Sequence, residues 1–182
     1  MQFVILRLGL ICLFTVASFA QTPPENPLST HHKYVYGVTQ KILVRSAELM
    51  PEENYGFKPT EAVRSFGQIV GHVADAQYSF CSAAIGEKRT APKVENEKTS
   101  KAELIAALKE AFAYCNKAYD GMTDANGTKV VKLMRADMPA LGVMTINQMH
   151  TMEHYGNLVT YMRMKDIVPP TSDAAFMQQA GK

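Results

Sequence analysis

Three segments of the form Ser/Thr-x-x-Gln/Glu each stand directly before apolar residues spaced three and four apart. They are Ser65–Gln68, Ser100–Glu103 and Thr145–Gln148. In such a capping box the hydroxyl and the amide or carboxylate satisfy backbone N–H groups that the first helical turn leaves free. Strand signals are nearly absent, because no alternating Val, Ile or Thr run of five residues is bounded by Asn-Gly or Asp-Gly after the first twenty residues. The sequence therefore predicts an all-α protein.

Four helices are predicted, and two of the connections between them are long. The first helix ends before Pro51, because proline disfavours the helical conformation of the residue that precedes it. The connections 87–99 and 123–142 are long for a compact bundle, and we expect the latter to pack locally. The predicted architecture is an antiparallel four-helix bundle with long second and third connections. Its helices run from Ser29–Thr30 to Met50, from Thr60 or Ser65 to about Ile85, from Ser100 to about Asp120, and from Thr145 to about Lys165.

The first twenty residues follow a different pattern from the rest of the chain. Residues 3–19 are almost all apolar, Arg7 is the only charged residue there, and Ser18 and Ala20 are the small residues that a signal peptidase reads. This pattern is typical of a secretory signal peptide. We therefore predict that residues 1–20 are cleaved and that residues 21–182 form one secreted or periplasmic domain. A retained membrane anchor fits less well because the apolar run is short.

The net charge of the predicted mature domain is close to zero. The chain has 19 basic and 17 acidic residues, and removal of Arg7 leaves a net charge of +1 with neutral histidines. We therefore expect no basic surface for a nucleic acid or a membrane. The length suits one domain with its own hydrophobic core.

Two cysteines remain after cleavage, Cys81 and Cys115. Export to an oxidising compartment would permit a disulfide between them. Each also lies among apolar neighbours at a helical position, where a small buried thiol packs well. Spacing alone does not decide between the two, and we slightly favour separate buried cysteines.

Two histidines, His150 and His154, stand four residues apart in the fourth predicted helix. Residues at this spacing lie on the same helical face, so two imidazoles can converge on one metal ion, although ordinary structural histidines show the same spacing. His72 lies beside the apolar face of the second helix, where an unpaired imidazole is costly to bury. If the caps Ser65 and Thr145 are level and the two helices run parallel, all three rings lie at one height.

Three neutral imidazoles would leave a divalent ion with an open coordination position. Zinc fits such a ligand set best, and nickel, iron and manganese are also compatible with it. Asp75, one turn after His72, could orient that ring or serve as a fourth ligand, or it could be a solvated surface carboxylate. His31 and His32 are interpreted as surface residues, because adjacent side chains on a helix diverge.

Two blocks of the sequence carry a resemblance to a known family: "SFGQIVGHVADAQYSFCSA" and "TINQMHTMEHYGNLVTYMRMKDIVPP". They resemble the DinB-like superfamily, a group of damage-inducible four-helix metalloenzymes. The resemblance implies a metal held by His72, His150 and His154. It also implies activity as a metal-dependent thiol S-transferase or isomerase, and a homodimer.

The functional hypothesis is an exported metal-dependent enzyme that activates a small thiol or water and acts on a small-molecule substrate, as an S-transferase or a hydrolase. One alternative is a bundle that binds metal without catalysis. Another is a zinc peptidase, because residues 150–154 match the H-x-x-E-H string in which Glu153 would be the general base. That alternative is weakened because the motif is short and because the sequence shows neither mixed α/β surroundings nor room for a large substrate chamber. Glu153 points about 100° away from the ring of His154 around the helix axis.

Overall fold

Four long helices form the body of the protein, which we describe from a computed structural model over residues 25–88 and 90–182. The predicted signal peptide, residues 1–20, lies outside the described residues. Single turns of 3-10 helix occupy Glu52–Asn54 and Pro170–Ser172, and β1 (Val130–Leu133) pairs with β2 (Ala136–Pro139). The helices are α1 (Pro27–Leu49), α2 (Phe66–Ile85), α3 (Val94–Glu97), α4 (Lys101–Asp120), α5 (Asp124–Gly127), α6 (Ala140–Arg163) and α7 (Ala174–Ala180).

The hydrophobic core lies where the four long helices meet. Helix α2 packs against α4 and α6, and α1 packs against the same two helices. Each large apolar side chain that is fully buried there contributes about 1.5–3 kcal/mol. The prediction of an all-α four-helix bundle is confirmed. The largest fully buried side chains include Leu43, Phe66, Leu108, Phe112, Tyr119 and Leu158.

The helix starts show where capping chemistry predicts the structure and where it does not. Ser65 and Gln68 form the expected reciprocal capping box at the start of α2. Ser100 accepts a hydrogen bond from the N–H of Glu103 at the start of α4. The Glu103 carboxylate, however, accepts from the Ser100 hydroxyl rather than from a backbone N–H. Helix α1 starts at Pro27, before Ser29, because a carboxylate from α5 caps it: Asp124 accepts from the N–H groups of Leu28 and Ser29.

The predicted start of the fourth helix at Thr145 is wrong. Helix α6 begins five residues earlier, at Ala140, and the Thr145 hydroxyl donates to the Leu141 carbonyl at 3.0 Å inside the helix. The N–H of Ala140 bonds to the carbonyl of Lys129. Strand β2 therefore leads directly into α6, and no separate capping box is needed.

The third connection contains structure that the sequence did not predict. After α5 the chain forms the antiparallel pair β1–β2, with Val130 opposite Pro139 and Leu133 opposite Ala136. Only Leu133 is buried among the eight strand residues, so the alternating burial that identifies a strand is missing. Met134 takes a positive φ of 53° in the turn. β1 packs against α2, which brings the turn next to that helix.

Cys81 and Cys115 form a disulfide that joins α2 to α4. The slight preference for separate buried thiols is therefore wrong. The two helices pack directly against each other and place the two Cα atoms 5.3 Å apart, within the usual range for a disulfide. Sequence spacing cannot show this distance.

Within residues 25–88 and 90–182, no helix combines the length and apolar character needed to cross a bilayer.

Candidate metal centre

Three imidazoles from two helices converge at one point of the bundle. His72 lies on α2, and His150 and His154 lie on α6. The Nε2 atom of His150 is 3.1 Å from Nε2 of His72 and 3.2 Å from Nε2 of His154. The three ligand atoms all lie within 4.8 Å of one another. The residues proposed as ligands from the sequence are thus brought together, although the cap at Thr145 on which their common height was argued does not exist.

The distances between these nitrogen atoms fit a metal ion. Metal–nitrogen bonds of about 2.0–2.1 Å in a tetrahedral site hold the ligand atoms roughly 3.3 Å apart. The protein alone cannot make both short contacts into full hydrogen bonds, because Nε2 of His150 carries either one proton or one lone pair and so serves only one full hydrogen bond. A cation that accepts all three lone pairs removes this conflict.

The protonation states of the centre favour metal binding. Burial, followed by the proximity of His154 and His72, lowers the pKa of His150 to about 4. Burial, followed by the proximity of His72, also lowers the pKa of His154. The neutral imidazole is the form that binds a metal. At neutral pH these two rings therefore present lone pairs without having to release protons.

His72 is oriented by a carboxylate that sequence reasoning missed. Glu95, on α3, lies with Oε2 2.9 Å from Nδ1 of His72 and accepts from Nε of Arg64 at 2.7 Å. Burial alone would raise the pKa of the Glu95 carboxyl, but the hydrogen bonds from Arg64 and His72 lower it on balance. A carboxylate at Nδ1 fixes the tautomer in which Nε2 is free, as is common for metal-bound histidines.

Asp75 supports the His72 ring indirectly, through α3, rather than as the direct neighbour or metal ligand considered from the sequence. Its carboxylate accepts from the backbone N–H groups of Val94 and Glu95, at 2.9 and 3.0 Å, and so caps α3 from outside. Among the described residues, Asp75 forms no hydrogen bond with His72 and does not belong to the group of ligand atoms. It positions α3, and α3 positions Glu95.

Gly71 makes the close approach of α3 to α2 possible. A Cβ atom built on Gly71 would lie 2.7 Å from Cα of Glu95 and 2.9 Å from its nitrogen, which is closer than real Cβ atoms come. A glycine inside a predicted helix often marks a place where another backbone comes close. Gly71 is a local sequence signal of this kind. Nothing in the sequence identified Glu95 itself, 23 residues after His72 in a polar connection.

His150 and His154 have weaker polar support. Nδ1 of His150 is buried and has no hydrogen-bond partner within the part of the chain that the structure describes. Nδ1 of His154 lies 3.4 Å from the side-chain amide of Asn157, which is exposed. These two rings are held mainly by their helix and by packing.

Two clefts reach the three histidines from different sides. The polar cleft, of about 640 Å³, borders His154 and Glu95. The apolar cleft, of about 460 Å³, borders His72 and His150. The other residues of the polar cleft include Lys58, Glu61, Arg64, Gln68, Glu153, Asn157 and Tyr161. The other residues of the apolar cleft are Asp75, Ala76, Ser79, Phe80, Ala83, Leu133 and Met134.

The two remaining histidines lie at the start of α1, outside this centre. His31 is exposed, as expected of a surface residue, and His32 is half-buried. Among the described residues, neither belongs to the group whose ligand atoms converge.

A four-helix bundle that gathers three imidazoles beside an accessible cleft defines a candidate metalloprotein. The chain belongs to the DinB superfamily, which matches residues 36–158. No curated protein sequence matches the chain.

Solved structures share this fold. A DinB-like protein from Bacillus cereus ATCC 10987 aligns with a TM-score of 0.65 and 18% identity, over 79% of this chain and 93% of that chain. A DinB-like protein from Bacillus subtilis aligns with a TM-score of 0.60 and 18% identity, over 78% and 92%. The mycothiol-dependent maleylpyruvate isomerase aligns with a TM-score of 0.59 and 16% identity, over 72% and 60%. At these identities the likeness shows the fold alone.

Proposed function

We propose that this protein is an exported metal-dependent enzyme that activates a small thiol or water for attack on a small-molecule electrophile. The ion would be divalent, with zinc as the first candidate, and would be held by His72, His150 and His154. The observation that carries the proposal is the convergence of three Nε2 atoms, with two contacts of 3.1 and 3.2 Å and no carboxylate or thiol ligand in the group.

The ligand set suits a reactive site rather than a closed structural one. Three imidazoles leave a coordination position open, and a bound ion of this kind lowers the pKa of a coordinated thiol or water. An imidazole ligand carries no negative charge, so the three ligands would not compensate the charge of the ion. Glu95 keeps the ring of His72 in the required tautomer. The polar cleft gives a small molecule access to His154.

The proposal leaves two candidates for the nucleophile, a thiol and water. The fold shared with a mycothiol-dependent isomerase supports a thiol. Export supports water, because small thiols are concentrated in the cytosol. The export proposal itself is supported by the apolar pattern of residues 1–20 and by the disulfide between Cys81 and Cys115, a bond found mainly in oxidising compartments. The homodimer implied by the family resemblance is a further proposal, which light scattering coupled to size-exclusion chromatography tests.

Metal content is the decisive first measurement. We expect about one equivalent of a divalent ion in the purified protein and in the control variant His31→Ala, and little in His72→Ala, His150→Ala or His154→Ala. Elemental analysis by mass spectrometry reads this directly. Full occupancy in a folded His72→Ala variant would overturn the three-histidine centre.

Activity assays then separate the candidate reactions. Conjugation of 2-mercaptoethanol to 1-chloro-2,4-dinitrobenzene reports thiol activation, and hydrolysis of p-nitrophenyl acetate reports water activation. Both should disappear in the His150→Ala variant. Cleavage of casein that is lost in Glu153→Gln would instead favour the peptidase. A fully loaded protein that is inactive in all three assays would support the alternative of metal binding without catalysis.

A further inference from the structure

The guanidinium of Arg64 stands in the polar cleft with most of its hydrogen-bonding capacity unused. Its Nε donates to Glu95, and its backbone carbonyl accepts from the Tyr161 hydroxyl at 2.9 Å. Within residues 25–88 and 90–182, no acceptor bonds to its two terminal nitrogen atoms. The side chain is 45% exposed. One of the five guanidinium N–H groups is therefore used, and the other four can meet a ligand.

Arg64 is also fixed in relation to the metal centre. The Glu95 carboxylate bridges the two, with one oxygen 2.7 Å from Arg64 Nε and the other 2.9 Å from His72 Nδ1. Arg64 and His154 also line the same polar cleft. A ligand on the ion at His154 and a group bound by Arg64 would therefore share one cleft.

The remaining charges of the cleft leave Arg64 as its best anion-binding group. Lys58, the other cation, already forms an ion pair with Glu61. Glu153 is an exposed carboxylate without an ion pair among the described residues, and it opposes an anion weakly because solvent screens it. A planar guanidinium with two free terminal nitrogen atoms matches both oxygens of a carboxylate, which a lysine ammonium does not.

We propose that Arg64 is a specificity-determining residue that binds a carboxylate of the small-molecule ligand. The preferred ligand is then bifunctional, with a thiolate or oxygen that meets the metal and a separate acid group that meets Arg64. This inference rests on the proposed function, because it presupposes an ion at the three histidines.

Small thiols that share the same two-carbon chain test the inference in the cobalt-loaded protein. Sulfur-to-cobalt charge-transfer absorption reports binding of 3-mercaptopropionate, 2-mercaptoethanol and cysteamine, which end in an acid, a hydroxyl and an amine. In the unaltered protein we expect 3-mercaptopropionate to bind about tenfold more tightly than 2-mercaptoethanol, and cysteamine to bind most weakly. The quantity compared is the ratio of the first two affinities, because the ratio cancels differences in metal loading.

The substitutions then assign the preference to one side chain. In Arg64→Gln the ratio should fall to near one, and in Arg45→Gln, which alters an exposed arginine of α1 outside the cleft, it should keep its original value. Glu153→Gln should raise the ratio slightly. An unchanged ratio in cobalt-loaded Arg64→Gln, or a ratio near one in the unaltered protein, would overturn the inference.

Two further measurements distinguish a failure of this inference from a failure of the proposed function. If Arg64→Gln loses its cobalt, Arg64→Lys is measured in its place. The lysine keeps a cation beside Glu95 but lacks the planar guanidinium. An unchanged affinity ratio in Arg64→Lys would contradict the inference. If no thiol gives the charge-transfer band, thiol activation fails as the proposed function. Arg64 is then tested through the cobalt d–d bands with succinate against succinamate, which both offer one carboxylate to the metal and differ only in a second acid or amide group for Arg64; equal affinities would overturn its role.

Discussion

The two helices that supply the histidines support them in different ways. On α2, His72 is held by a chain of polar contacts in which Asp75 positions Glu95 and Glu95 binds the ring. On α6, Nδ1 of His150 has no hydrogen-bond partner among the described residues. At Nδ1 of His154, the partner among these residues is the amide of the exposed Asn157, 3.4 Å away. Spacing along one helix is sufficient to pair two rings. The third ring comes from another helix, and a separate segment of the chain holds it in place.

The largest expected effect comes from removing the carboxylate that holds His72. In Glu95→Ala we expect the metal affinity to fall about 10- to 100-fold, because Nδ1 of His72 loses its acceptor and the ring its orientation. Competition with a fluorescent zinc chelator measures this. Glu95→Gln is the matched control: its amide oxygen can still accept from His72, so the loss should be several-fold smaller. Equal affinity in Glu95→Ala and the unaltered protein would show that α6 alone determines the affinity.

A smaller effect is expected when α3 is pushed away from α2. In Gly71→Ala the added Cβ would overlap the backbone of Glu95, so α3 must shift. We expect a loss of about 1–3 kcal/mol in the free energy of unfolding and a fall of about tenfold in metal affinity. Urea unfolding and the same chelator competition measure the two.

Gly156, on α6, provides the control for that substitution. A Cβ there would meet no other atom within 4 Å, so Gly156→Ala should leave metal affinity unchanged and stabilise the helix by about 0.5–1 kcal/mol. If both glycine variants behave alike, the close packing of α3 is not what positions Glu95.

The sequence predicted the histidines and missed their support for a physical reason. His150 and His154 follow from local geometry, because four residues make slightly more than one helical turn. Ser65 likewise marks the start of α2 through bonds within its own turn. Glu95 depends on contacts between segments far apart in the chain, and no periodic pattern in residues 87–99 predicts where α3 lies.

The same limit explains the other differences between expectation and structure. The disulfide depends on how closely α2 approaches α4, and the early start of α6 depends on a hydrogen bond to Lys129 across the β1–β2 pair. Both are tertiary contacts. Local signals therefore predicted the four-helix bundle and the candidate ligands, while the elements that connect the helices required the structure.

On the α6 side, acid should destabilise the metal-free protein. The pKa of His150 is lowered from 6.5 in the unfolded chain to about 4, first by burial and then by the neighbouring His154 and His72, and the pKa of His154 is lowered as well. Between about pH 6.5 and 4 the unfolded state therefore binds more protons than the folded state, and stability falls as the pH falls. Urea unfolding at pH 7 and pH 5 measures this. The His150→Gln variant should show a shallower dependence, and an identical dependence would contradict the assignment to His150.

The smallest effect is expected at Asn157, the side chain beside Nδ1 of His154. Asn157 is exposed and its amide lies 3.4 Å from Nδ1, so this hydrogen bond is long and open to water. We expect Asn157→Ala to lower metal affinity by about twofold or less, because water can replace the amide. Chelator competition beside Thr160→Ala, an exposed residue one turn further along α6, measures the difference. A tenfold loss in Asn157→Ala would mean that the α6 histidines depend on polar support as strongly as His72 does.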